Sequence, residues 1–141
     1  ALACRVGADG VHLGGDDGTI ADARRELPAG AIIGRSCYNR FDLAVEAAEA
    51  GADYVAFGSF FPSPTKPGAV RASTDLLRRA RSELDLPTVA IGGITPENGA
   101  ALVAAGASLL AVISAVFAAP DITHATRAFA PCFTTSRGDP A

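Results

Sequence analysis

The sequence predicts an α/β protein built on a parallel sheet, and three observations carry that prediction. Five short apolar runs, each too short to be a helix, alternate with segments of helical periodicity. The runs start at Val11, Ala31, Tyr54, Thr88 and Leu109, spaced by 20, 23, 34 and 21 residues, close to what repeated βα units need. The stretches "VGADGVHLG", "AEAGADYVAFG" and "VAAGASLLAVIS" share one logic, a helix closing on glycine before the next strand begins.

Taken in order, "ALACRVGADG" reads as the end of a helix closing at Gly7, with no initiator methionine, charged n-region or cleavage signature, so the chain is expected to begin within a fold. "GVHLG" at Gly10 to Gly14 is the first strand, followed by a helix over Thr19 to Leu27. "AIIGRS" at Ala31 to Ser36 is the second strand, and the helix Arg40 to Ala50 after it ends at Gly51. The third strand is "YVAFGS", Tyr54 to Ser59, with a long proline-rich connection before the helix Thr74 to Leu84, which Ser73 introduces. In that helix Leu76, Leu77, Ala80 and Leu84 recur at helical spacing while Arg78, Arg79 and Glu83 point elsewhere, the pattern of an outer-layer helix. "TVAIGG", Thr88 to Gly93, is the fourth strand. Thr95 then stands at a cap position, Pro96 at the first helical position where a missing N–H costs nothing, and Glu97 where negative charge suits the dipole, opening a helix to Ala105. "LLAVIS", Leu109 to Ser114, is the fifth strand, and a last helix covers Ile122 to Phe129 after Asp121. Five units are too few for a closed eight-stranded barrel of about 250 residues and enough for an open sheet; the pattern leaves both possibilities.

Bulk properties narrow the function classes. At 141 residues, 49% apolar, the chain has the size and apolar content of one domain. A net charge of −3 with interspersed signs gives no footprint for nucleic acid or a membrane surface, and no run approaches the roughly 18 apolar residues of a membrane span, so small-molecule partners are expected. Cys4, Cys37 and Cys132 are odd in number and form neither CxxC nor CxxH, which fits a reduced cytoplasmic setting and supports no zinc site.

In α/β folds of either kind functional residues collect at the carboxyl ends of strands. Those ends read Gly14-Gly15-Asp16-Asp17, Ser36-Cys37, Ser59 through Lys66, Gly92-Gly93 and Ser114. Asp16 and Asp17 are placed to hold Mg²⁺ or, as spacing alone favours, to cap the helix that begins near Thr19. Gly92-Gly93 and Ser114 are placed to present amides to a phosphate, although a plain tight turn explains Gly-Gly nearly as well. The loop "FFPSPTKPG" carries prolines 62, 64 and 67, which limit its conformations and set Ser63, Thr65 and Lys66 where an anion would meet them; the plain alternative is a solvated lysine on a rigid loop. His12, inside a strand, reads as a packed or lumen-facing residue and His124 as exposed; Cys37 has no evident base partner, and none of the three is assigned a role.

Beyond these generic readings, "ADGVHLGGDD", "IIGRSCYN", "GADYVAFGSFFPSPTKP", "PTVAIGGITPEN" and "GASLLAVISAVF" come in the order and spacing of the thiamine-phosphate synthase family, and the chain resembles that family from Ala8 to Phe117. The resemblance implies a (β/α)8 TIM barrel and a transferase. Its reaction couples a hydroxymethylpyrimidine diphosphate to a thiazole phosphate, with Mg²⁺, to give thiamine phosphate and pyrophosphate. By match to the family pattern Asp17 would be a Mg²⁺ ligand. Ser36 and Lys66 would contact the pyrimidine diphosphate and carry catalysis. Ser63, Pro64, Thr65, Gly93, Ile113 and Ser114 would hold the thiazole phosphate. Pyrophosphate would leave first, and the thiazole nitrogen would capture the pyrimidine-methyl cation, so that positioning and charge stabilisation do the work without a protein nucleophile.

Two departures qualify the resemblance. Gly15 stands where the family often has glutamine. The family's first three βα units have no counterpart here, so the chain is expected to be an incomplete barrel, strands four to eight over residues 1–130, with a polar tail at 131–141. One Mg²⁺ carboxylate would then be missing, the sheet edges would invite self-association, and the isolated 141-residue chain is expected to turn over little or nothing; Mg²⁺-dependent thiamine phosphate formation by that chain would refute this. Competing expectations are a thiazole tautomerase relative, for which Asp17 and Lys66 have little use and which would need an acid-base residue, another phosphate-binding barrel, and a truncated, non-enzymatic gene product.

Overall fold

A computed structural model of the chain describes residues 2–62 and 68–134. Helix α1 (Leu2–Val6) leads into β1 (Gly10–Leu13), followed by α2 (Ile20–Glu26), β2 (Ile32–Tyr38), α3 (Phe41–Glu49), β3 (Tyr54–Gly58), α4 (Thr74–Glu83), β4 (Thr88–Ile91), α5 (Pro96–Ala105), β5 (Leu109–Ala111), α6 (Ser114–Phe117) and α7 (Ile122–Arg127), with a closing 3₁₀ turn at Ala130–Phe133. The five strands form one sheet in the order β1-β2-β3-β4-β5, and every pair is parallel.

That order is not the one of a doubly wound sheet. A doubly wound sheet reverses its strand order at a switch point and carries helices on both faces. Here each strand lies beside its successor, and right-handed crossovers put the connecting helices on one face. On that face Ile33, Val55, Phe57 and Ala90 are fully buried together with Leu77 of α4 and Leu102 of α5. Strand residues alternate between faces, and the other face keeps apolar side chains open: Ile32 is 53% exposed, Leu109 49% and Ile91 41%.

Local chemistry sets the boundaries. Thr19 caps α2 through a reciprocal box, its hydroxyl accepting from the Asp22 N–H while the Asp22 carboxylate accepts from the Thr19 hydroxyl and N–H. The helix-cap reading of Asp16 and Asp17 is therefore corrected: Thr19, nearer the helix and with a short hydroxyl, fills that position. The fourth strand ends at Ile91, before the expected Gly93, because Gly92 and Gly93 turn the chain out of the extended region with φ of +100° and +63°. Likewise β5 stops at Ala111, and Ser114, expected at the strand end, opens the short helix α6. Before α5, Asn98 reaches back to accept from the Thr95 N–H at 2.9 Å and donate to the Gly93 carbonyl at 3.1 Å. At the opposite end of the sheet Arg24 of α2 donates to the Gly51 carbonyl at 2.8 Å and to Asp53 at 2.6 Å, and Asp53 accepts from the Ile33 N–H at 2.6 Å.

The segment read as a polar tail from residue 131 begins with the 3₁₀ turn, which packs on α5: Cys132 is buried and its thiol lies 3.4 Å from the Pro96 carbonyl. Residues 135–141 of that tail lie outside the described residues. Among the described residues no helix is long and apolar enough to cross a membrane.

Candidate functional site

The site residues read from the sequence lie at or beyond the carboxyl ends of consecutive strands, Ser36 among the last residues of β2 and the others after their strands, and side chains of β2 bind the first two ends together. After β1 the chain turns at Gly14 to Asp17, where Asp17 Oδ2 accepts from the Gly14 N–H at 2.6 Å. Arg35 of β2 donates to the Gly14 carbonyl at 2.8 Å, and the Tyr38 hydroxyl accepts from the Gly15 N–H at 2.9 Å. A Cβ at position 15 would stand 2.9 Å from that hydroxyl oxygen, so the glycine found there matches the Tyr38 of this chain. Asp17 is exposed, and among the described residues its carboxylate hydrogen-bonds to Gly14 alone. No group of three or more His, Cys, Asp or Glu side chains that could hold a metal occurs among the described residues.

Ser36 lies next to the irregularity at which the β2–β3 register shifts, between Ser36 and Tyr38, and is half-buried. Its Oγ is 2.8 Å from His12 Nε2, and His12 Nδ1 is 3.0 Å from the Tyr54 hydroxyl. Three strands therefore contribute to one polar chain on the face opposite the helices. Burial lowers the His12 pKa from its ordinary value; Asp17 opposes that shift and Arg35 adds to it. Burial also raises the Tyr54 phenol. The sequence reading missed His12 because its partners are 24 and 42 residues away. The available signal was register: His12 pairs with Gly34, and Gly34 with Tyr54, which puts the imidazole and the phenol on either side of a residue with no side chain.

The third and fourth strand ends are pinned to one another. The Phe60 N–H donates to the Ile91 carbonyl at 3.2 Å and the Phe61 N–H to the Gly92 carbonyl at 3.0 Å. A Cβ at Gly93 would stand 2.4 Å from the Pro62 carbonyl oxygen and 2.8 Å from Phe61, so the Gly92-Gly93 turn lies directly against the start of the proline loop. The base of that loop is closed as well, with Ser59 N–H on the Val70 carbonyl at 3.0 Å and Ala72 N–H on the Ser59 carbonyl at 2.9 Å. Ser63, Pro64, Thr65 and Lys66 lie outside the described residues, between these two anchored ends. After β5, Ile113 and Ser114 are exposed at the start of α6. Cys37, by contrast, faces the helices, fully buried, with its thiol pushed up to about 11 by burial. That environment suits packing and not nucleophilic chemistry.

Comparison with known proteins adds a family. Residues 1–116 match the family model described as thiamine monophosphate synthase. A thiamine-phosphate synthase of Azoarcus sp. (strain BH72) is 61% identical over 133 residues, covering 94% of this chain and 65% of that protein. One from Thioalkalivibrio sulfidiphilus (strain HL-EbGR7) is 56% identical, covering 94% of this chain and 63% of its own length. The solved thiamine phosphate pyrophosphorylase from Pyrococcus furiosus superposes with a TM-score of 0.82 at 37% identity, over 97% of this chain and 65% of that one. The chain thus spans just under two thirds of these relatives.

Proposed function

The chain belongs to the thiamine monophosphate synthase family, and on that premise we propose that the complete product of its gene couples a hydroxymethylpyrimidine diphosphate to a thiazole phosphate, giving thiamine phosphate and pyrophosphate. The observation that carries the reading is the joining of strand ends: Arg35 and Tyr38 tie the Asp17 turn to the Ser36 strand, and Phe60 and Phe61 tie the proline loop to the Gly92-Gly93 turn. Two anion-suited corners thus stand side by side on one sheet, as a two-substrate phosphate enzyme requires.

In this reading the chain corresponds to strands four to eight of an eight-stranded barrel. The unbroken strand order and the open apolar face support it. So does length: five of eight units is about 63%, against 65% and 63% coverage of the two relatives. Residues 1–130 then form the barrel portion.

The chemistry asked of these residues is positioning and charge stabilisation. Ser36 donates to a diphosphate oxygen and Lys66 supplies a compact positive charge beside it. Ser63, Pro64 and Thr65, with the Gly93 turn, Ile113 and Ser114, hold the thiazole phosphate and so aim the ring nitrogen at the pyrimidine methylene. As the carbon–oxygen bond to the diphosphate breaks, Ser36 and Lys66 stabilise the charge that builds on the leaving group, and the thiazole nitrogen captures the carbon. Asp17 fits Mg²⁺, which takes one or two carboxylates together with substrate phosphate and water: one carboxylate oxygen is held by Gly14 and the group is exposed. When bound, Mg²⁺ supplies counter-charge for the diphosphate.

A tautomerase, which only moves a proton, has little use for a diphosphate-binding Lys66 and a Mg²⁺ carboxylate at Asp17, and these two residues favour the synthase reading. The test is direct. The complete gene product, given both substrates and Mg²⁺, is expected to release pyrophosphate and form thiamine phosphate in equal amounts, read by chromatography. Absence of both products from a folded protein refutes the proposal.

A further inference from the structure

The polar chain Tyr54–His12–Ser36 has a direction, and that direction decides what Ser36 can offer a ligand. A neutral imidazole carries one N–H donor and one acceptor nitrogen, and each hydroxyl carries one donor. Two patterns satisfy the 3.0 Å and 2.8 Å contacts. In the first, Nδ1–H donates to Tyr54 and the Ser36 hydroxyl donates to Nε2, so Ser36 turns only lone pairs to the site. In the second, the Tyr54 hydroxyl donates to Nδ1 and Nε2–H donates to Ser36 Oγ, so the Ser36 proton is left for a ligand. An anion repels the first arrangement and accepts a hydrogen bond from the second.

The surrounding structure builds this chain on purpose-made space. A Cβ at Gly34 would stand 2.0 Å from the Tyr54 ring, so the phenol crosses β2 over a residue that leaves room for it. The Tyr54 and His12 rings stack with centroids 5.6 Å apart at 23°, which fixes the imidazole's plane between its two hydroxyl partners. No other strand side chain intervenes, because the register sets Gly34 between His12 and Tyr54.

We propose that His12, set by Tyr54, is a positioning residue that holds the Ser36 hydroxyl as a donor toward the diphosphate of the pyrimidine substrate. The inference rests on the reading of Ser36 as a diphosphate contact, and it assigns to two residues outside that contact the task of orienting its proton.

The experiment uses the complete gene product and inorganic pyrophosphate with Mg²⁺ as the probe, titrated calorimetrically against Ser36→Ala, His12→Ala, Tyr54→Phe and the Ser36→Ala/His12→Ala pair. Removing a donor to an anion should weaken binding about tenfold for Ser36→Ala. His12→Ala and Tyr54→Phe should each weaken it about three- to tenfold, and His12→Ala should add nothing once Ser36 is gone. Nitrogen-15 NMR of His12 in the pyrophosphate complex should show the Nε2–H tautomer. Tyr54→Phe keeps the stacked ring, so it carries the test if His12→Ala fails to fold. Full sensitivity to His12→Ala in the Ser36→Ala background, an Nδ1–H tautomer, or unchanged binding by both His12→Ala and Tyr54→Phe overturns the inference while leaving Ser36 as a contact. Unchanged binding by Ser36→Ala overturns the diphosphate reading of Ser36, and the inference with it.

Discussion

Gly34→Ala is the sharpest test of how the sheet is built around its polar chain. The Cβ it adds would lie 2.0, 2.3 and 2.4 Å from three carbons of the Tyr54 ring. Real contacts of that kind are nearer 3.5–4.0 Å, so the ring must retreat by more than an ångström. The clash is with a planar ring that stacks on His12 and hydrogen-bonds to its Nδ1, so a retreating ring gives up both contacts. Overpacking of this sort costs about 1–3 kcal/mol, and losing the Tyr54–His12 hydrogen bond adds about 0.5–1.5 kcal/mol. Together the two give a destabilisation of about 1.5–4.5 kcal/mol, measured by urea unfolding of the complete gene product with an unchanged m-value. The cycle partner is Tyr54→Ala: in that background Gly34→Ala should cost little, because the atoms it meets are gone. If Gly34→Ala alone costs under about 0.5 kcal/mol, or costs as much with Tyr54 absent as with it present, the claim that Gly34 makes room for Tyr54 fails.

Three further outcomes follow from the same geometry. Arg35→Gln removes the guanidinium that holds the Gly14 carbonyl and should raise the Mg²⁺ concentration needed for half-maximal activity about tenfold, as loss of an outer partner to a metal ligand typically does; an unchanged Mg²⁺ titration counts against Asp17 as the ligand. Asn98→Ala loses the bonds to Thr95 N–H and Gly93 carbonyl and should destabilise the protein by about 1–2 kcal/mol while raising KM for the thiazole phosphate more than it lowers kcat; a change confined to the pyrimidine substrate would contradict the placement of Gly93. For Asp53, the Ile33 N–H first, and then Arg24, hold the carboxyl below its ordinary 3.8 against opposing burial. A depressed carboxyl stabilises the fold fully above its unfolded value and loses that contribution as pH falls through the folded value, so the stability gap between the native protein and Asp53→Asn should be flat above about pH 5 and shrink below about pH 4. A gap that grows on acidification would reverse the sign and refute it.

What the sequence makes legible is whatever chemistry is local. The helix start at Pro96 sits at its expected residue because proline and its neighbours act within one turn. All five strands lie where their apolar runs place them, since each run is continuous and short. Boundaries drift where glycine or a short helix ends a strand: "TVAIGG" and "LLAVIS" read as apolar to their ends, but positive φ at Gly92 and Gly93 and the turn into α6 are backbone events that hydrophobicity does not encode. The doubtful role of Asp16 and Asp17 has the same origin. A carboxylate two residues before Thr19 looks like a cap in sequence, and only the observed Thr19–Asp22 box releases Asp17 to bind Gly14.

The site itself divides along that line. Asp17, Ser36 and Gly93 stand out as candidates because they lie at or just past the carboxyl ends of strands, a rule of position; what holds them does not, because it runs across strands. Arg35 reaches Gly14 over 21 residues, Tyr38 reaches Gly15 over 23, and His12 joins Ser36 and Tyr54 over 24 and 42. Parallel pairing makes such distances inevitable, since a helix must separate each strand from its neighbour. Within one βα unit the sequence can name a candidate residue, but it cannot say which residue of the neighbouring strand bonds to it until the register is known. Glycine is the exception that could have shown the way. A glycine inside a strand signals that another group approaches closely, and Gly34 lies between two ring-bearing residues in register, His12 and Tyr54. A sequence reading that asks what each strand glycine admits, and not only where each strand ends, would reach the polar chain behind Ser36 as well as Ser36 itself.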